Sequence, residues 1–170
     1  MREAGASGDP VVERVEASVT FLLRQRVLRP HQPPEALALA GDDDPGTATF
    51  ALRDPRSAEV VATANVRRER PPEPLLTERA GVAERCWRLR GMATREDLRG
   101  HGLGRSLLDA CIAHVAAGGG GLLWCSARLP ARRFYARAGF EELGEEYDVP
   151  DIGRHVLMFR RVPPPGEAPT

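Results

Sequence analysis

The chain has 170 residues, 42% of them apolar and 28% charged, with 24 acidic side chains balanced by 24 basic ones. That length suits one domain with a sizeable core, and the zero formal charge argues against a general nucleic-acid binder. No run approaches the roughly 18 apolar residues of a membrane helix, and the first residues offer no signal-peptide core, so the expected location is the cytoplasm with no membrane partner.

In chain order, residues 1–10 are small and polar and read as a flexible N-terminus. A single domain is expected over 11–162, followed by a flexible Pro-rich tail over 163–170. Residues 11–15 suit a first strand. Phe21, Leu22, Leu23, Val27 and Leu28 then have helical spacing that ends before Pro30. Asp42-Asp43-Asp44-Pro45-Gly46 reads as a solvated turn, or else as an acidic rim that attracts a cationic amine. The Thr- and Val-rich runs 47–52 and 59–66, separated by Asp54-Pro55-Arg56-Ser57, predict an antiparallel hairpin. Pro71, Pro72 and Pro74 make a rigid connection toward a short helix within 75–81.

Residues 86–94 predict a strand in which Gly91 marks a bulge or a close backbone approach. Arg99-Gly100-His101-Gly102-Leu103-Gly104 follows, and then an amphipathic helix. That helix places Leu103, Leu107, Leu108, Cys111, Ile112 and Val115 on one face, with Arg105, Asp109 and His114 on the other. The glycines at 118–121 end it. The apolar run 122–125 predicts a buried strand that, by βαβ logic, lies parallel to 86–94. Pro130 suits the first turn of another helix. Residues 140–147 and 154–162 read as a closing antiparallel pair. Cys86, Cys111 and Cys125 lie in apolar runs without metal-ligand spacing, so buried thiols and no metal are expected.

The glycine segment reads as an anion-binding turn. Glycines at alternate positions let backbone N–H groups approach a ligand, and the following helix adds the positive end of its dipole. A mononucleotide P-loop is excluded because it needs a Lys, and all 24 basic residues here are Arg. A dinucleotide fingerprint is excluded because Arg105 or Leu107 stands where its third glycine is required.

The pattern R-x-x-G-x-G over Arg99 to Gly104 resembles the pyrophosphate loop of the GCN5-related N-acetyltransferase (GNAT) superfamily. A second stretch, Ala131-Arg132-Arg133-Phe134-Tyr135-Ala136-Arg137-Ala138-Gly139-Phe140, is similar to that superfamily's A-x-x-F-Y-x-x-x-G-F run. The resemblance implies an α/β (α+β) fold with a mixed, mostly antiparallel sheet of six or seven strands flanked by helices. One parallel pair of strands splays to hold acetyl-CoA as acyl donor.

It also implies site residues. Met92, Ala93 and Thr94 face the pantetheine arm, while Arg99, Gly100, His101, Gly102, Leu103, Gly104 and Arg105 hold the pyrophosphate. Ser126 stands where related sequences often carry Asn. Arg128, Arg132, Arg133 and Arg137 form either a solvated helix face or a seat for the 3′-phosphate and adenine end, with Arg133 the candidate contact. Tyr135 matches the superfamily's general acid. Related strands often supply a Glu as base, but 86–94 contains none, which leaves Glu84 just before it and His155 in Gly153-Arg154-His155-Val156. Cys125 as a nucleophile lacks a nearby His in sequence.

The expected activity is acetyl transfer to the amine of a small molecule by direct attack in a ternary complex, with the protein a monomer or homodimer. Two alternatives stand beside it. One is a non-catalytic acyl-CoA-binding or regulatory module, and the other is an acyltransferase acting on a peptide or protein amine or using a longer acyl group.

Overall fold

The computed structural model describes residues 10–72 and 85–167. Most of the expected flexible N-terminus, the helix expected within 75–81, Pro74, Glu84 and the end of the Pro-rich tail lie outside these residues. Seven strands form one sheet: β1 (Glu13–Val15), β2 (Ala48–Arg53), β3 (Val60–Arg68), β4 (Cys86–Thr94), β5 (Gly121–Arg128), β6 (Glu141–Val149) and β7 (Gly153–Val162). Their spatial order is β1-β2-β3-β4-β5-β7-β6. Every neighbouring pair is antiparallel except β4 and β5. The sheet is thus mixed and mostly antiparallel, with the one parallel pair that the sequence implied.

Among the described residues three α-helices flank it: α1 (Phe21–Leu28), α2 (Leu103–Ala117) and α3 (Arg132–Arg137). The apolar stripe of α2 sets the main core. Leu107, Leu108, Cys111 and Val115 are fully buried against strand residues such as Val66, Leu89, Leu123 and Met158. Full burial of each Leu or Val contributes about 1.5–3 kcal/mol, so this face is what fixes the helix to the sheet. On the opposite face α1 packs Leu23, Val27 and Leu28 against Ala51, Val60 and Ala93.

Two expectations are corrected. His114 does not share the solvent face of α2: its ring stands 5.7 Å from Trp87 and 6.1 Å from Phe50, edge-on to both. Asp42 is not part of a solvated turn, because its carboxylate is only 4% exposed and faces inward. Asp43 and Asp44 remain exposed.

The pairing of β4 with β5 positions the site. It covers only Cys86, Trp87 and Arg88 opposite Leu122, Leu123 and Trp124, after which the strands separate. β4 remains bonded to β3 up to Thr94, and β5 to β7 up to Arg128, so beyond that point the side of each strand facing the gap has no strand partner among the described residues. The register between β3 and β4 shifts between Thr63 and Asn65, where β4 carries an extra residue. Gly91 sits in this bulge with φ +62°, a conformation that costs other residues about 1–2 kcal/mol.

Candidate active site

Between the separated strands lies a cavity of about 290 Å³. Its walls come from α1 and the segment that follows it (Arg24, Leu28, Arg29, Leu37, Leu39), from β4 (Arg88 to Met92), from β5 (Cys125 to Arg128), and from Ala131, Phe134 and Tyr135. No Asp or Glu among the described residues lines it, whereas five arginines do. The cavity is therefore cationic, the reverse of the acidic rim that the Asp42 to Asp44 run suggested.

A buried polar network organises the inner wall. Arg24 is fully buried, although it shares the inward stripe of α1 with Leu23, Val27 and Leu28. Its Nη1 donates to Oδ2 of Asp42 at 2.7 Å and to the Leu37 carbonyl at 3.2 Å. The Leu39 N–H donates to the same carboxylate oxygen at 2.9 Å. The other oxygen, Oδ1, accepts from Asn65 Nδ2 at 3.3 Å and Arg90 Nη2 at 3.2 Å. One carboxylate thus serves two guanidinium groups. Burial pulls the pKa of Arg90 down to about 10, against the opposing pull of Asp42, so Arg90 stays charged at neutral pH.

The glycine loop stands at the open end of the gap. Gly100 and Gly102 have φ +81° and +82°, and a Cβ built on either would meet nothing within 4 Å. Glycine is required there by backbone conformation, and the space beyond is open. Gly102 is the N-cap of α2, and no side chain caps it. The first-turn N–H groups of the helix therefore point outward without intrahelical acceptors. His101 Nδ1 lies 3.2 and 3.1 Å from the carbonyls of Leu98 and Arg99, which tethers its ring to the loop backbone. Arg99 is exposed and makes no ion pair among the described residues, whereas Arg105 pairs with Asp109 one turn on, at 2.9 Å. A Cβ on Gly104 would stand 3.8 Å from Thr94 Oγ1, so the end of β4 adjoins the helix start.

The remaining predicted residues divide among several surroundings. Met92, Ser126 and Tyr135 line the cavity. Ala93 is buried beneath α1 instead. Tyr135 packs edge-on against Phe134 at 5.1 Å and tilts against Phe140 at 5.4 Å. Burial, with Cys125 and Cys111 nearby, raises its phenol well above the ordinary value, so it is protonated at neutral pH. Burial likewise pushes the Cys125 thiol up, which removes the thiolate that a nucleophile needs.

His155 is buried on β7, with Nδ1 2.8 Å from the Gly153 carbonyl and its ring stacked on Tyr147 at 6.0 Å. The next residue, Val156, faces the same core as Tyr135, so His155 and Tyr135 lie on opposite faces of the sheet. The Ser126 hydroxyl contacts the Tyr147 hydroxyl. The four arginines of the 128–137 segment do not form one cluster. Arg132 pairs with Glu142 at 2.7 Å and Glu146 at 3.3 Å, and Arg128 donates to the Leu28 carbonyl at 2.7 Å on the cavity wall. Arg133 and Arg137 are exposed.

Sequence reasoning missed Arg24, Arg88, Arg90, Asn65 and Tyr147. The signal for Arg24 was a lone charge on the inward stripe of α1. For Arg88 and Arg90 it was their alternation with Trp87 and Leu89 along β4.

Residues 17–140 match the model of the acetyltransferase (GNAT) family. The chain is 34% identical over 149 residues to the uncharacterized N-acetyltransferase YitI of Bacillus subtilis, spanning 88% of this chain and 94% of that protein. Its fold is similar to the ribosomal-protein-S18-alanine N-acetyltransferase from Escherichia coli, with TM-score 0.67, 19% identity, and coverage of 95% and 99% of the two chains. A phosphinothricin acetyltransferase from Sinorhizobium meliloti, solved in complex with acetyl-CoA, aligns with TM-score 0.65 and 17% identity over 95% and 93% of the chains. Among the described residues no helix is long and apolar enough to cross a membrane. With the family model covering most of the chain and a relative matched over nearly its whole length, this protein belongs to the GNAT acetyltransferase family and is an acyltransferase.

Proposed function

We propose that this acyltransferase works in the cytoplasm, moving an acetyl group from acetyl-CoA to the amine of a small molecule by direct attack in a ternary complex. The observation that carries the reading is the gap itself. The separated stretches of β4 and β5 and the buried phenol of Tyr135 border one cavity, and the uncapped start of α2 adjoins it at Phe134 and Thr94.

The residues suit acetyl-CoA on two counts. Strand groups facing the gap are free to bond the amides of a pantetheine arm, as a peptide adds to a sheet edge. The N–H groups from His101 to Arg105, with Arg99 and Arg105 as charge partners, suit a pyrophosphate, and the exposed Arg133 suits the outer phosphate. A helix N-terminus alone contributes about 0.3–1 kcal/mol, so several donors must act together.

The thioester supplies an electrophilic carbonyl and a thiolate leaving group. Tyr135, held protonated by burial, is positioned to donate its hydroxyl hydrogen toward the leaving sulfur. On the other face, Nδ1 of His155 is directed at the Gly153 carbonyl, which leaves Nε2 as the accepting nitrogen. Its ring stacks on Tyr147, whose hydroxyl touches that of Ser126 on the cavity wall, and this closeness to the cavity makes His155 the first candidate base. Glu84 is the second candidate for this role.

Calorimetric titration with acetyl-CoA, with NADH and ATP as controls, tests the reading, followed by amine-dependent thiol release. Micromolar, coenzyme-A-selective binding and turnover support it, whereas absence of binding overturns it. A non-catalytic acyl-CoA-binding module is favoured by the lack of a carboxylate among the described residues of the cavity wall and by the engagement of Ser126 with Tyr147. Amine-stimulated thiol release counts against that second reading.

A further inference from the structure

The cavity wall carries more positive charge than its partners balance. Asp42 is shared between Arg24 and Arg90, and Glu69 pairs with Arg88 at 2.7 Å while also lying 3.7 Å from Arg67. Arg29 and Arg128 have no acidic partner among the described residues, although both line the cavity. They are close enough that the charge of Arg29, along with burial, depresses the Arg128 pKa. Two cations held together against their mutual repulsion, with one partly desolvated, favour an anion between them.

A second observation points the same way. Arg24, fully buried on the same wall, has no hydrogen-bond partner for Nε or Nη2 among the described residues. Those two N–H groups form the side-on edge of the guanidinium, the geometry that accepts a carboxylate bidentately. They lie behind Gly91, where a Cβ would stand 3.3 Å from Nε and 3.6 Å from Nη2. A buried donor without an acceptor costs about 1–3 kcal/mol, more for a charged group, unless something at the site supplies one.

We infer that the acceptor is an amine that also carries a carboxylate, seated on Arg29 and Arg128 at the cavity wall, with the buried charge of Arg24 behind it. This rests on the acetyltransferase reading above and narrows it to amino-acid-like acceptors. It also opposes cationic acceptors such as polyamines, whose charges would meet five arginines and, among the described lining residues, no acid.

The test pairs turnover with binding. Amino acids, their primary amides and simple alkyl diamines are compared as acceptors in thiol release. Calorimetry then compares N-acetyl amino acids with their amides, a readout that needs no turnover. The expected result is at least a tenfold preference in kcat/KM for carboxylate acceptors and a matching preference in product affinity. Arg128→Gln and Arg29→Gln should each raise the acceptor KM at least tenfold while leaving the acetyl-CoA KM within twofold. If amides or diamines serve as well as the acids, or the Gln variants weaken acetyl-CoA instead, the carboxylate assignment is overturned while acetyl transfer stands. If no amine of any charge is acetylated, the small-molecule acceptor reading fails. The carboxylate assignment is then decided by the N-acetyl amino acid titration, where equal affinity for acid and amide overturns it.

Discussion

Nη1 of Arg24 lies 2.7 Å from Oδ2 of Asp42, and both side chains are closed off from solvent. The pair ties α1 to the segment 34–44 and, through Arg90 and Asn65, to the bulged part of the sheet. Removing one partner of a buried pair costs about 3–5 kcal/mol, because the other charge stays desolvated. Asp42→Asn keeps the shape but strands two arginines, so urea unfolding should show a loss of that order. Arg132→Gln, which breaks an exposed pair with Glu142, should shift the unfolding midpoint far less, because water already screens that pair. Equal losses in the two variants would mean that the Asp42 network does not hold the lobe together.

The glycine loop separates stability from binding. Gly102 has φ +82°, so Gly102→Ala should cost about 1–2 kcal/mol of stability together with acetyl-CoA affinity. Gly104 is helical, and a Cβ there would meet Phe134 at 3.5 Å, an ordinary contact. Ala is the better helix former by about 1 kcal/mol, so Gly104→Ala should fold at least as well as the parent. Calorimetry on that variant should nonetheless show weaker acetyl-CoA binding, because the methyl group narrows the approach between Thr94 and the helix start. Unchanged affinity would remove Gly104 from the ligand contact.

How much of this was legible beforehand depends on whether a residue's role is local. The strand 86–94, the bulge at Gly91, the Gly100 to Gly104 turn and the apolar stripe of α2 are read from spacing, because backbone conformation and burial follow period and glycine placement. The splay needed the resemblance, since period alone says nothing of where two parallel strands part. The Asp42 network was not legible. Three consecutive aspartates before Pro45 and Gly46 read as a turn, and only the fold brings Arg24 and Arg90 from two other elements to the first of them. The cationic cavity was missed for the same reason. The arginines of β4 and of the segment after α1 face one space only once the sheet is assembled.

Tyr135 offers a test of role against packing. Its ring is fixed by Phe134 and Phe140, and Tyr135→Phe keeps those contacts while removing only the hydroxyl. The stability of this variant should stay within about 1 kcal/mol of the parent, the usual net worth of one hydrogen bond. Steady-state kinetics should show kcat lowered at least tenfold with acetyl-CoA affinity unchanged. Because burial raises the phenol's pKa, the parent's rate should show no falling limb from this group up to pH 10. Parental turnover in Tyr135→Phe would exclude the hydroxyl from the chemistry.

His114 makes stability depend on pH in a defined direction. Burial against Trp87 and Phe50, with Arg14 and Arg68 adding repulsion, lowers its folded-state pKa below the ordinary 6.5. The unfolded chain therefore binds a proton that the folded chain resists. Stability from this group is complete above the unfolded value and is lost as pH falls through 6.5 toward the folded pKa, below which it levels off. The carboxylates with lowered values, Asp54 and Glu142, titrate below this window and do not mask it. Melting temperatures between pH 7.5 and 5 should fall with acid in the parent and fall less steeply in His114→Gln. Parallel slopes for the two proteins would show that the ring is protonated as readily in the folded chain as in the unfolded one.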